Sequence, residues 1–146
     1  MKVFIVSVLM IPCVLMAQTK KTVKPAPVKT TTSSGVSASR QRGQSIYKIS
    51  CLPCHQVDGS GVGTLNPPFV QQWAGGDKSR IIRMILKGSN GKVEIDGDTF
   101  SNTMPAQPKF TDQQIADVLS YVRNNFGIKA SAVTVGEVRV VRAKTK

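Results

Sequence analysis

The chain has 146 residues, long enough for one domain with some length left over, and a formal net charge of +12. The basicity sits at the ends: residues 18–42 hold six basic and no acidic side chains and residues 129–146 five basic and one acidic, whereas residues 43–128 hold eight basic against seven acidic. Charge placed this way, without an interleaved aromatic pattern, excludes a nucleic-acid reading head. It predicts solvated arms that favour anionic surfaces.

The N-terminus carries Lys2 and then an uncharged apolar run from Val3 to Ala17. A run of that length falls short of the about 20 residues that a membrane span needs. It suits a secretory signal peptide over residues 1–17, cut after Ala17. The alternatives are an N-terminus kept as an anchor and a lipid on Cys13, though Pro12 and the apolar residues beyond Cys13 fit lipid processing poorly. Residues 18–38, rich in Lys, Pro, Thr and Ser, cannot build a packed core and read as a disordered linker. Export would leave two cysteines, Cys51 and Cys54, and no disulfide framework to explain them.

A first helix is predicted from Ala38 or Ser39 to about Ser50, with Ser39 as its cap and Ile46, Tyr47 and Ile49 on its apolar side. The stretch from Asp58 to Val70, with its Gly, Asn and Pro, reads as loop. A short helix then runs to Lys87, capped by Asp77 or Ser79, with Ile81, Ile82, Ile85 and Leu86 apolar and Gly88 as its stop. Alternation and an Asp96-Gly97 pair suggest a small hairpin between Lys92 and Phe100. The clearest helix follows, opened by a Thr111/Gln114 capping box, with Ile115, Val118, Leu119 and Val122 on one face and Gly127 at its end. A second box, Thr134/Glu137, points to a short helix over 135–142, while the alternation in Val-Arg-Val-Val argues for a strand. Domain boundaries therefore fall at 39–128, with a basic C-terminal extension over 129–146. A mainly helical domain of that size is marginal for a hydrophobic core alone, so an embedded group should help to hold it together.

The stretch Cys51-Leu52-Pro53-Cys54-His55 holds both mature cysteines and the single histidine. Structural zinc wants four N or S ligands, and only three are here, two of them adjacent. A thiol–disulfide exchanger places its pair in a βαβ setting, and this pair follows a helix and precedes a loop. Haem of the c type uses every element: two thiols for the vinyl groups and an imidazole directly after them for the iron. No second histidine exists, so the sixth ligand is sought among methionines. Met84 sits in a helix beside Ile81 and Ile85 and reads as core filling. Met104, in a polar loop stiffened by proline, lacks that explanation and is the expected ligand, a soft neutral donor that favours reduced iron. Leu52, Phe69, Trp73, Ile81, Ile85, Phe100 and Leu119 are expected around the pocket. Trp73 either packs as core or donates its N–H to a haem propionate.

These residues resemble the class I cytochromes c. Gly43, Tyr47, Cys51, Cys54 and His55 have the spacing of that family's first helix and haem motif. The stretch from Asn90 to Gly127 is similar to the methionine loop and last helix of small monohaem domains, including cytochrome subunits of alcohol and aldehyde dehydrogenases. The resemblance implies an all-α cytochrome c fold: three to four short helices and long loops around one covalently bound haem c, with a minor hairpin. It also implies that a proline carbonyl, Pro67 first and Pro68 next, accepts from His55, and that Tyr121 lies where the last helix crosses the first near Gly43.

With both axial positions filled, such a protein passes single electrons and is no enzyme itself. Its partners are other redox proteins, a dehydrogenase as donor and an oxidase or other carrier as acceptor, met in the periplasm or another exported compartment. The basic arms also suit an acidic partner or a membrane surface. A haem-bearing subunit of a dehydrogenase or oxidase complex is the alternative. A peroxidase-like enzyme would require an open distal site.

Overall fold

The computed structural model describes Ser33–Thr145. The expected signal segment and the linker up to residue 32 lie outside the described residues. Within them the order is α1 (Ser33–Ser50), α2 (Leu52–His55), α3 (Gln71–Ala74), α4 (Lys78–Lys87), β1 (Val93–Ile95), β2 (Asp98–Phe100), α5 (Asp112–Val122) and α6 (Val135–Ala143). The all-α expectation holds. Four helices are longer than two turns, and α2 and α3 are single turns that have too few residues to show a period.

The frame is the crossing of α1 and α5. Gly43 is buried at the crossing, where a Cβ would overlap the Asp117 carbonyl oxygen and come within 2.8 Å of Tyr121 Cβ. Asp117, 1% exposed, accepts from Ser39 Oγ at 2.5 Å, from Arg42 Nε at 2.6 Å and Nη2 at 3.0 Å, and from Gln113 Nε2 at 2.9 Å. A buried carboxylate needs such a set of donors. Ser39 is therefore no cap. It lies inside α1, which begins at Ser33 and takes up residues 33–38 that composition assigned to the linker. Tertiary contact carries the helix back past its local signals, since packing rather than propensity stabilises most protein helices.

The predicted apolar side of α1 is half right. Tyr47 is 1% exposed and Ile46 packs on the core, but Ile49 is 80% exposed and faces away. Tyr47 meets Tyr121 and Phe126 with ring centroids 5.4 and 5.2 Å apart, and its hydroxyl donates to the Gln56 carbonyl at 2.6 Å. Helix α5 ends at Val122 with Arg123 as its C-cap, short of the expected Gly127 stop; Phe126 and Gly127, with φ of 57° and 75°, turn the chain in the loop that follows.

The hairpin pairs Val93 with Phe100 and Ile95 with Asp98. Asp96 and Gly97 both take positive φ, 54° and 88°, which a two-residue turn between twisted strands requires.

The chain beyond residue 128 is not an extension. Ile128, Val133, Val138 and Val141 are buried in the same core as Ile82, Leu86, Ile115 and Val118. The Thr134/Glu137 capping box is formed, and the segment is a helix rather than a strand. Ser120 Oγ, itself buried, donates to the Val133 carbonyl at 3.2 Å and lies 3.0 Å from the Val133 amide. Arg123, 3% exposed, donates to the carbonyls of Ser131, Ala74 and Gly76. Lys78 Nζ lies 2.9 Å from Glu137, and Arg142 Nε lies 2.6 Å from Asp112. Net charge pointed to a solvated arm here, but apolar burial at three-residue spacing and buried backbone partners decide the outcome.

Candidate cofactor site

Between α4, α5, the hairpin and the loops lies one cavity of about 1130 Å³, counted out to its open mouth. Residues from the whole middle of the chain reach it: Cys51, Cys54 and His55 from α2, Pro67, Pro68 and Phe69 from the following loop, and Met104 and Pro105 from the loop before α5. Trp73, Ile81, Ile85, Phe100 and Leu119 line it as expected, joined by Val93, Ile95, Val118 and Val122, which the sequence did not place at the pocket. Leu52 does not line it. Within the one turn of α2 it points to the protein core instead, partly buried there.

Proline at the start of α2 and a bond from the His55 amide to the Cys51 carbonyl at 2.9 Å make the motif a tight turn. Cys51 and Cys54 are both free thiols, the first half-buried and the second exposed. Burial, and then the neighbouring Cys54, pushes the Cys51 thiol up to about 11 from 9.0, so it stays protonated at neutral pH. His55 stacks on Phe69, ring centroids 4.4 Å apart. Burial lowers the imidazole's pKa, and the Pro67 carbonyl works in the opposite direction. His55 Nδ1 is nonetheless buried without a partner of full hydrogen-bond geometry. The Pro67 carbonyl therefore faces the imidazole without a formed hydrogen bond.

Two methionines reach the cavity. Met104 does, and so does Met84, which is half-buried on the cavity wall rather than core filling. The helical period of α4 explains the correction. Ile81, Met84 and Ile85 share the cavity side, while Ile82 and Leu86 turn to the core that holds α6. Trp73 lies under the guanidinium of Arg80, whose carbon is 3.2 Å from the ring centre. One Arg80 Nη2 is buried without a partner, and the basic side chain on that tryptophan was not legible as a neighbour from spacing alone.

The residues fit a covalently held metallomacrocycle. Two free thiols, an imidazole, a thioether and apolar walls converge on one space. Among the described residues no helix is long and apolar enough to cross a membrane.

A family model described as "Cytochrome c" matches residues 40–126. The chain is 36% identical over 107 residues to the gluconate 2-dehydrogenase cytochrome c subunit of Pantoea cypripedii, a match covering 70% of this chain and 24% of that protein. It is 30% identical over 112 residues to cytochrome c-552 of Thermus thermophilus, covering 70% of this chain and 85% of that one. It is 33% identical over 114 residues to the fructose dehydrogenase cytochrome subunit of Gluconobacter japonicus, covering 71% of this chain and 22% of that protein. The chain thus spans about a quarter of the dehydrogenase subunits it matches, 24% and 22%, and most of the small cytochrome, 85%.

Proposed function

The chain belongs to the cytochrome c family, an electron-transfer protein with covalently bound haem c and no enzyme of its own, and we propose that it is an exported carrier with His/Met-ligated iron. The observation that carries this reading is the convergence of Cys51, Cys54, His55 and Met104 on one cavity. Haem iron with both axial positions taken exchanges single electrons and leaves no site for a substrate.

Cys51 and Cys54 form the two thioethers, and α2 holds them one turn apart. His55 would hold the iron, with Phe69 against one face of its ring and the Pro67 carbonyl accepting a hydrogen bond from Nδ1–H, which would orient the imidazole and raise its basicity. Met104, from the loop before α5, would supply the second iron ligand. Trp73 donates its N–H to a haem carboxylate at the cavity edge. The apolar walls exclude water and so favour the less charged, reduced iron.

The signal-type run Val3–Ala17 supports export, with cleavage after Ala17. Its partners are redox proteins, a dehydrogenase as donor and an oxidase or other carrier as acceptor. The basic residues 18–42 add a salt-sensitive attraction to acidic proteins or membrane surfaces. The near-complete overlap with a small cytochrome supports a free carrier. The dehydrogenase subunits support a second reading, a haem domain that works inside such a complex.

Visible spectra of the haem-loaded protein, oxidised and reduced, test the ligands. Wild type should be low-spin with the weak far-red band of a methionine–iron(III) bond, and Met104→Ala should lose the band while Met84→Leu keeps it. Loss in Met84→Leu alone would transfer the ligand role to Met84. A high-spin wild type would sink the carrier reading and favour an enzyme with an open site.

A further inference from the structure

The loop that carries Met104 is tied to the C-terminal end of α4 by three backbone hydrogen bonds. Ser89 N–H donates to the Met104 carbonyl at 2.9 Å, Met104 N–H donates to the Ser89 carbonyl at 3.0 Å, and Gln107 N–H donates to the Ile85 carbonyl at 2.7 Å. Between those anchors sits Gly88, the residue that ends α4, with φ of 71°. A Cβ there would overlap the Met104 carbonyl oxygen and stand 2.8 Å from the Ala106 amide nitrogen and 3.2 Å from the Pro105 carbonyl carbon. All three neighbours are backbone atoms of the methionine loop, and backbone cannot swing aside as a side chain can.

We infer that the Gly88-Ser89 turn is the positioning platform for the Met104 ligand: it fixes the height and tilt of the methionine loop over the cavity, so that the thioether stays on the iron. This rests on the reading of Met104 as the distal ligand. Gly88 ends a helix with a left-handed residue, a common device, but the methionine loop presses on it so closely that no other residue fits. The two-way pairing of Ser89 with Met104 fixes the ligand residue's own backbone, leaving only the side-chain torsions of Met104 free. Met84 also reaches the cavity, and its carbonyl accepts from the Gly88 amide at 2.8 Å, but that bond closes the end of α4 and involves no atom of the methionine loop. The platform acts through Met104 alone and touches no haem atom itself.

The test uses haem-loaded full-length protein and two readouts: the pH at which the methionine–iron(III) band is lost, and the affinity of the oxidised iron for added imidazole, a competitor for the distal position. Gly88→Ala should bind imidazole at least about fivefold more tightly, the worth of roughly one backbone hydrogen bond, and lose the band at lower pH. Ser89→Pro, which removes the Ser89 N–H donor and also fixes the local φ, should shift both readouts the same way and serves if Gly88→Ala does not fold. Gly91→Ala is the control: its φ of 104° makes the substitution strained, but nothing lies within 4 Å of the added Cβ. It should leave both readouts at wild-type values. If wild type shows no methionine–iron(III) band, the ligand reading itself fails. If wild type shows the band and the folded Gly88 and Ser89 variants titrate as wild type does, the platform is overturned and the ligand reading survives. An equal shift in Gly91→Ala overturns the platform too, because loop strain would then account for the effect.

Discussion

Tyr47 shows how much a single side chain carries here. Its ring fills the space between α1, α5 and Phe126, and its hydroxyl is the partner of the Gln56 carbonyl at the exit from the cysteine motif. Replacing it by phenylalanine keeps the ring and strands that carbonyl, so Tyr47→Phe should cost about 1–2 kcal/mol in the denaturant midpoint at unchanged slope. Burial first, and the neighbouring Cys51 next, raise the phenol's pKa well above its ordinary 10.0. The folded state therefore holds the proton after the unfolded chain has released it. The stability tied to that proton is complete below about pH 10 and declines as pH rises further. Unfolding curves taken across that range should show the advantage of wild type over Tyr47→Phe shrinking with pH. An advantage that stays constant would mean that the hydroxyl is solvated in the folded protein.

Among the elements, the α1–α5 crossing depends on a missing side chain. Gly43→Ala pushes a methyl into the backbone of Asp117 and the Cβ of Tyr121, and the two helices must part. Overpacking of this kind costs about 1–3 kcal/mol, read as a lowered thermal or denaturant midpoint. Gly136→Ala is the counterpart in α6, where the new methyl would find only Thr134 Oγ1 at 3.9 Å. That variant should be more stable by about 0.5–1 kcal/mol, since alanine loses less entropy in a helix. Elements with their own local chemistry were legible in the sequence: both capping boxes, the Asp96-Gly97 turn, the Gly88 stop and the cysteine motif. The parts that were not legible depend on distant partners. The first six residues of α1 are serine, glycine, valine and alanine, and nothing in them announces Asp117. Ile49 continues an apolar pattern but falls on the wrong side of the crossing. Met84 has the same neighbours in sequence whether it faces a core or a cavity, and only the position of α6 decides which.

At the scale of the whole molecule, α6 turns a marginal domain into a more complete one. The family match ends at residue 126, and the chain then adds Val133, Val138 and Val141 to the core behind α4. The same helix is tied to α4 by the Lys78–Glu137 pair. Burial pushes the Glu137 carboxyl up, but the bonds from Thr134 and Lys78 outweigh it and hold the pKa below its ordinary 4.5. Its contribution is present above that value and disappears as pH falls through the lowered one. Denaturation of wild type and Glu137→Gln should therefore differ near neutral pH and converge in acid. A gap that persists at low pH would assign the effect to packing instead of charge.

The meeting of α1 and α5 also bears on time. Arg42 and Asp117 are 75 positions apart along the chain, and Cys51, His55 and Met104 all lie within the loop that they close. Each doubling of such a loop adds only about 0.6 kcal/mol to the entropy of closure, so a span this long is little harder to shut than a short one. The ends can meet while the interior is still unfinished. Contacts to an enclosed group that form only after the ends have met are absent from that barrier, and contacts absent from the barrier slow escape more than arrival. Covalent haem thus sets how long the loop stays shut more than how fast it shuts.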